Sequence, residues 1–167
     1  MHKYLRSASV LFLALLVCLQ AGLPPVMAAG IIGEPAEGIR SANPNFAQGS
    51  IRDNFGGMSI EALYYIKDGT CSIANLGSGK VSIGGKTTTY YSVDTVSVVV
   101  YLQQYDGMRW VDVYYVQDSR ANSNLAEVLS NVTVDRGYNY RTRAVHTAKN
   151  GTVTETASSM SSYIFVN

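Results

Sequence analysis

The sequence predicts an all-β fold, a two-sheet antiparallel β-sandwich of seven or eight strands over residues 60–167, with a small barrel as the alternative. Three observations predict it. Short segments of β-type alternation follow one another from residue 60 onward. Turn signals separate them about every ten residues. No stretch of this region has the period and length of a useful helix. No repeat of roughly 20–50 residues recurs, so a solenoid or propeller is not expected.

Residues 60–66 (IEALYYI) read as the first strand, ended by Asp68 and Gly69, and residues 70–76 as the next, ended by Gly77, Ser78 and Gly79. In 80–89, Val81 and Ile83 alternate ahead of Gly84, Gly85 and a run of threonines. Paired glycines there point to a bulge or bend within the strand. Residues 95–105 give the clearest strand. Val96, Val98, Val100 and Leu102 fall on one face and Ser97, Gln103 and Tyr105 on the other, whereas a helix would scatter the valines around its axis. Asp106 and Gly107 signal a hairpin, from which 109–116 returns. Residues 118–124 read as a polar turn and 128–134 as a strand with Val128, Val132 and Val134 in phase. Asp135, Arg136 and Gly137 turn the chain into 138–147, and Asn150 and Gly151 turn it into a last strand or pair reaching Val166. The stretch 125–129 is too short and uncapped to form a helix.

Ahead of this region the composition changes twice. Residues 1–28 have the layout of a secretory signal peptide: Lys3 and Arg6 in front, an apolar run over 8–19, then Pro24 and Pro25. Val26, Met27 and Ala28 place the expected cut before Ala29. The run is too short for a spanning helix, which needs about 20 apolar residues. Lipid attachment at Cys18 is not expected, because Val17 stands where a lipobox requires a small residue. Residues 29–59, with Pro35, Pro44, several glycines and no apolar period, read as a flexible lead-in. The alternative is a segment draped over the domain, anchored by Ile31, Ile32 and Phe46. After cleavage Cys71 is the one remaining cysteine, so a chain of roughly 140 residues relies on its apolar core without a disulfide.

Residues 136–146 (RGYNYRTRAVH), followed by Asn150, Gly151 and Thr152, resemble the sixth strand of fibronectin type III-like and immunoglobulin-like sandwiches. The resemblance implies that Tyr138, Tyr140, Thr142 and Ala144 point inward and Asn139, Arg141 and Arg143 outward. It also implies that a tyrosine near the strand start forms a tyrosine corner, its hydroxyl bonded back to the chain. The wider stretch is similar to a family of small secreted proteins from Gram-positive bacteria, a domain of unknown function. Its marks are 73–80 (IANLGSGK), 81–85 (VSIGG), 102–110 (LQQYDGMRW) and 137–146. These are turn and core residues, which imply a fold and carry no catalytic group with them.

Composition excludes several classes of function. Without Lys3 and Arg6 the formal charge passes from +1 to −1, with no run of either sign. Nucleic-acid binding and a polybasic membrane clamp are therefore not expected. Gly77, Ser78, Gly79 and Lys80 are too short for a phosphate loop and lead into a strand. His146 lacks convergent partners for catalysis or metal binding and reads as a half-buried rim histidine. Asp118, Asn122 and Asn124 have a spacing open to calcium but common in ordinary turns. The acids Asp106, Asp112, Asp118, Glu127 and Glu155 are each isolated, and Glu155 is expected to face Arg141 or Arg143 across a hairpin. Cys71 reads as a buried apolar residue. No catalytic residue, metal or cofactor is expected.

The remaining feature is aromatic. Twelve tyrosines accompany one tryptophan, several in pairs: Tyr64 with Tyr65, Tyr90 with Tyr91, Tyr114 with Tyr115. On a strand one ring of a pair faces the core and the other faces out. Tyr105, Trp110 and Tyr115, around the 106–107 hairpin, are the candidate binding platform. The expected function is a secreted, non-catalytic interaction module at the cell envelope or outside the cell. Its partner would be a protein or a cell-surface polysaccharide, with no membrane anchor after cleavage. The alternative is a carbohydrate-binding module using the exposed tyrosine and tryptophan rings.

Overall fold

The computed structural model describes residues 34, 35, 37–54 and 63–167. The expected signal peptide, its cut before Ala29, Cys18, Ile31, Ile32 and the start of the expected strand at 60–66 lie outside these residues. The described strands are β1 (Phe46–Ser50), β2 (Ile66–Gly77), β3 (Lys80–Tyr105), β4 (Trp110–Thr133), β5 (Tyr138–Asn150), β6 (Val153–Met160) and β7 (Ile164–Val166); one short helix, α1 (Ile51–Asn54), follows β1. They form one curled antiparallel sheet in the order β1-β2-β3-β5-β6, with β4 added to β3 and β7 to β5.

The curl comes from β3. Its inward residues are Val81, Ile83, Thr87 and Thr89 in the first part, then Val96, Val98, Val100 and Leu102 in the second, all buried. The change from odd to even positions falls between the buried Val93 and Val96, just after a register shift between Thr88 and Val93. Extra residues in one strand of a pair kink it and add twist. The first part of β3 pairs with β2, the second with β5, and β4 follows both. The two parts consequently turn their apolar sides toward each other. A Cβ on Gly85 would overlap the Val98 and Val100 side chains, which shows how closely they meet. Across this interior β2 packs against β5 and β6. Each buried valine, leucine or isoleucine removed from water contributes about 1.5–3 kcal/mol.

Several sequence expectations give way to this geometry. The segments 80–89 and 95–105 are one strand, as are 109–116 and 128–134. Residues 118–124, read as a turn, continue β4: the bulge on β3 and a left-handed Asn122 (φ 49°) let β4 bend without leaving the sheet. Gly84 and Gly85 lie in regular register opposite Ser72 and Cys71, so the bend falls a few residues later. Asp68 and Gly69 do not end a strand; they lie within β2. Gly69 is there for close approach, since a Cβ would sit 2.6 Å from the His146 ring. Of residues 60–66, only Ile66 of the described part belongs to a strand.

The lead-in also differs from a tether where it is described. Residues 46–50 form β1, paired with 70–74 of β2. A Cβ on Gly49 would overlap the Met160 carbonyl, so β1 runs against the end of β6. Upstream, Ser41 N–H donates to the Tyr163 carbonyl at 2.8 Å and Tyr163 N–H to the Ile39 carbonyl at 2.9 Å. Short polar and glycine-rich stretches carry little periodicity, yet their backbone can still pair with a sheet edge.

Candidate functional site

In β5, alternation separates two chemical environments. Tyr140, Thr142, Ala144 and His146 point inward and are fully buried. The Tyr140 hydroxyl donates back to the Asp135 carbonyl at 2.8 Å. His146, expected at the rim, lies instead in the interior. Its Nδ1 is 2.8 Å from Thr87 Oγ1 and its Nε2 2.8 Å from Ser159 Oγ. Burial away from solvent lowers its pKa to about 4, so the ring is neutral. Cys71 lies nearby, buried, its thiol 3.6 Å from the Thr142 carbonyl and pushed up by burial. A thiol in that state is unreactive.

The outward side of β5 belongs to a face shared with β4 and the second part of β3. Register sets three rungs across it: Trp110 opposite Tyr105; Asp112, Gln103 and Arg141; and Tyr115, Tyr101 and Arg143. Gln103 Nε2 donates to Asp112 Oδ1 at 2.7 Å, and Arg141 Nε to Gln103 Oε1 at 2.8 Å. Arg143 Nη2 donates to Asp112 Oδ2 at 3.1 Å. Both guanidiniums also stack, Arg141 at 4.2 Å over Trp110 and Arg143 at 4.3 Å over Tyr101. Such cation–π contacts hold planar groups flat.

The three expected platform residues have different fates. Tyr115 is 61% exposed and stands 6.2 Å from the Tyr101 ring. Trp110 is half-buried: its Nε1 donates to the Glu37 carbonyl at 2.9 Å, and Tyr105 and Tyr163 flank it. Tyr105 is buried, so it supports Trp110 from beneath and is no part of an exposed surface. Arg141, expected outward, is only 8% exposed because the strap at 37–41 covers it; Gly38 lies beside its guanidinium.

Tyr115 reaches this face through a bulge. Gln103 pairs with Asp112 but Leu102 pairs with Tyr114, so β4 holds one extra residue at Val113. Without it Tyr115 would stand opposite the inward Val100. The sequence signals that were available are the outward Arg141 and Arg143 and the hairpin at 106–107; the bulge carries none.

A second aromatic group lies elsewhere. Tyr64, Tyr65 and Tyr91 meet edge to face at 5.0–6.1 Å. Glu155 does not face Arg141 or Arg143: its carboxylate accepts the backbone N–H groups of Tyr64, Tyr65 and Ile66 at 2.6, 2.7 and 3.0 Å. In the β5–β6 register Glu155 stands opposite Ala148, several residues from either arginine. Asp118 accepts from Arg120 Nε at 2.9 Å and from the Glu127 N–H at 3.2 Å. A cleft of about 360 Å³ opens between the two ends of β4, lined by Leu102, Val113, Tyr114, Val132, Val134 and Tyr140 among others.

No family model matches the chain, and no curated protein does. Among solved structures, the C-terminal domain of Wzt is similar at 17% identity, over 55% of this chain and 61% of that one, with a TM-score of 0.37. The chain thus spans less than two thirds of that neighbour's length.

Proposed function

We propose that the chain is a secreted, non-catalytic binding module of immunoglobulin or fibronectin type III-like sandwich type, acting at the cell envelope or outside the cell through its outer β4–β3–β5 face. On this reading the two parts of the curled sheet are the layers of the sandwich. The packing of β2 on β5 and β6 and the Tyr140 corner support that assignment. The same proposal joins the chain to the small secreted Gram-positive proteins that residues 70–167 resemble.

One observation carries the binding reading. Tyr101, Tyr115, Arg143 and Asp112 form a connected, partly exposed row in which a flat ring stands beside fixed hydrogen-bonding groups. A pyranose ring stacks its apolar face on an aromatic side chain and presents hydroxyls around its edge, so a polysaccharide fits the row. The Ser159–His146 pair supports a non-catalytic role, because both members are wholly buried away from any substrate. Titrating the purified protein with cell-wall polysaccharides while following Trp110 fluorescence tests the proposal. A saturable change, lost in Tyr115→Ala with the fold intact, is the expected result; binding indifferent to Tyr115→Ala overturns it. A protein partner is the second reading, favoured by the exposed Tyr64 and Tyr91 rings held on a carboxylate-pinned backbone. Under that reading a specific protein is recovered in a pull-down and lost in Tyr64→Ala. Sequencing the N-terminus of the extracellular protein tests export, with Ala29 expected first.

A further inference from the structure

We infer that the polysaccharide taken by this face is acidic, a chain of pyranose rings bearing carboxylates, with Tyr115 as the stacking platform and Arg143 as the group that reads the carboxylate. This rests on the reading of the face given above and names its ligand class.

The charges on the face are unequal. Register directs Arg141, Arg143 and Lys149 outward on β5, while Asp112 is the one acid on the same face of the described strands. Glu37, on the covering strap, adds a second negative charge near Arg141. One positive charge is left over, where the chain as a whole is close to neutral. Arg141 makes no ion pair among the described residues: its bond goes to the neutral Gln103, and its charge is carried under cover. An anion bound above it would lower that field.

The geometry already suits a carboxylate. Asp112 is held by one guanidinium and one amide, so the site accepts this group in this orientation. A guanidinium carries five N–H donors in a planar fork. One nitrogen of Arg143 serves Asp112, and the side chain is 32% exposed. The ring of Tyr101 beneath fixes the plane of the fork. Tyr115 lies beside that ring, 6.2 Å away, so a sugar stacked on it brings a ring carboxylate toward the free edge of Arg143.

Polygalacturonate and its fully methyl-esterified form separate the claim, since they share a backbone and differ in charge. Polygalacturonate is expected to bind at least tenfold more tightly than the ester, with an advantage that shrinks as salt rises. Arg143→Gln is expected to erase that preference, Arg143→Lys to retain part of it, and Lys86→Gln, on the opposite face, to leave it unchanged. Thermal melts of each variant separate lost binding from lost fold. Equal binding of the two polymers overturns the acidic assignment and leaves the face reading standing. So does binding of a neutral glucan or a phosphate-bearing polymer that depends on Tyr115 while polygalacturonate, alginate and hyaluronan all fail. Polygalacturonate binding that survives Tyr115→Ala overturns both.

Discussion

The curled sheet has two outer faces, and they are furnished differently. On the part formed by β2, the start of β3 and the end of β4, the outward residues are serines, single charges and exposed leucines such as Leu125 and Leu129, with no arginine stacked on a ring. Ser72 and Ser82 lie near Gly84, Leu129 crosses that glycine, and Lys86 stands opposite Glu127. On the part formed by β5, the end of β3 and the start of β4, equivalent positions carry Tyr101, Trp110, Tyr115, Arg141 and Arg143, linked by hydrogen bonds and stacking. Folding requires only that the inner sides be apolar; an outer side is free to vary. Ordering an arginine costs up to about 2 kcal/mol of side-chain freedom. A face that holds two arginines flat against aromatic rings is therefore furnished beyond what the sheet needs, and the plainer face shows what suffices.

The largest expected effect ignores the difference between the faces. His146 lies beneath both, with its pKa lowered to about 4 by burial. A folded-state pKa below the ordinary value near 6.5 means that the unfolded chain binds the proton more tightly. The stability is full above about pH 6.5 and is lost as pH falls toward 4, by about 3 kcal/mol. Urea melts followed by Trp110 fluorescence and by circular dichroism are expected to shift together; Trp110 moving alone would show that the faces come apart separately. His146→Leu is expected to flatten this pH dependence.

Arg141→Ala breaks the comparison more selectively. It strips a cation from Trp110 and leaves the buried Gln103 amide oxygen without its donor. A cost of about 2 kcal/mol is expected in urea denaturation. The adjacent glycines sharpen the contrast. Gly85→Ala drives a methyl group into Val98 and Val100 and is expected to cost about 1–3 kcal/mol. Gly84→Ala meets only the tip of Leu129 at 3.1 Å, the Ser72 hydroxyl at 3.2 Å and the Val128 carbonyl at 3.3 Å. It is expected to cost clearly less than the change at Gly85 in the same denaturation experiment. The smallest effect belongs to the plain face: Lys86→Ala is expected to change stability by no more than about 0.5 kcal/mol, because an exposed charge there holds nothing in place.

Much of the β character was legible because period-two alternation in 95–105 and 138–147 leaves a face that must be buried. In 95–105 Val96, Val98, Val100 and Leu102 are buried as read; in 138–147 Tyr140, Thr142 and Ala144 are, whereas Tyr138 is half-buried and Asn139, expected outward, is buried. The turns at 106–107 and 150–151 were legible for a similarly local reason, since their residue types favour a bend; Asp106 accepts the Met108 and Arg109 N–H groups at 2.8 and 2.9 Å, although the Gly151 N–H goes to the distant Asp94 at 2.7 Å. Continuity was not. Polar 118–124 looks like a turn, and only its pairing with β3 makes it strand. The lead-in hid β1 for the same reason, because backbone pairing to an edge needs no side-chain pattern.

By itself, the sequence determined which residues of each strand share a side, since alternation is a property of the extended chain. It also determined that residues 60–167, with Cys71 as their one cysteine, hold no disulfide among themselves, and that tyrosines and arginines would alternate with core residues near the 106–107 hairpin. Tertiary structure alone decided which of those aromatic groups meet. The bulge at Val113 turns Tyr115 outward beside Tyr101, the strap at 37–41 covers Arg141 and half of Trp110, and the bend in β3 takes His146 into the interior under Gly69. Each of these depends on a register or a long-range contact between segments distant in the chain, and a local pattern of residues carries no record of such a contact.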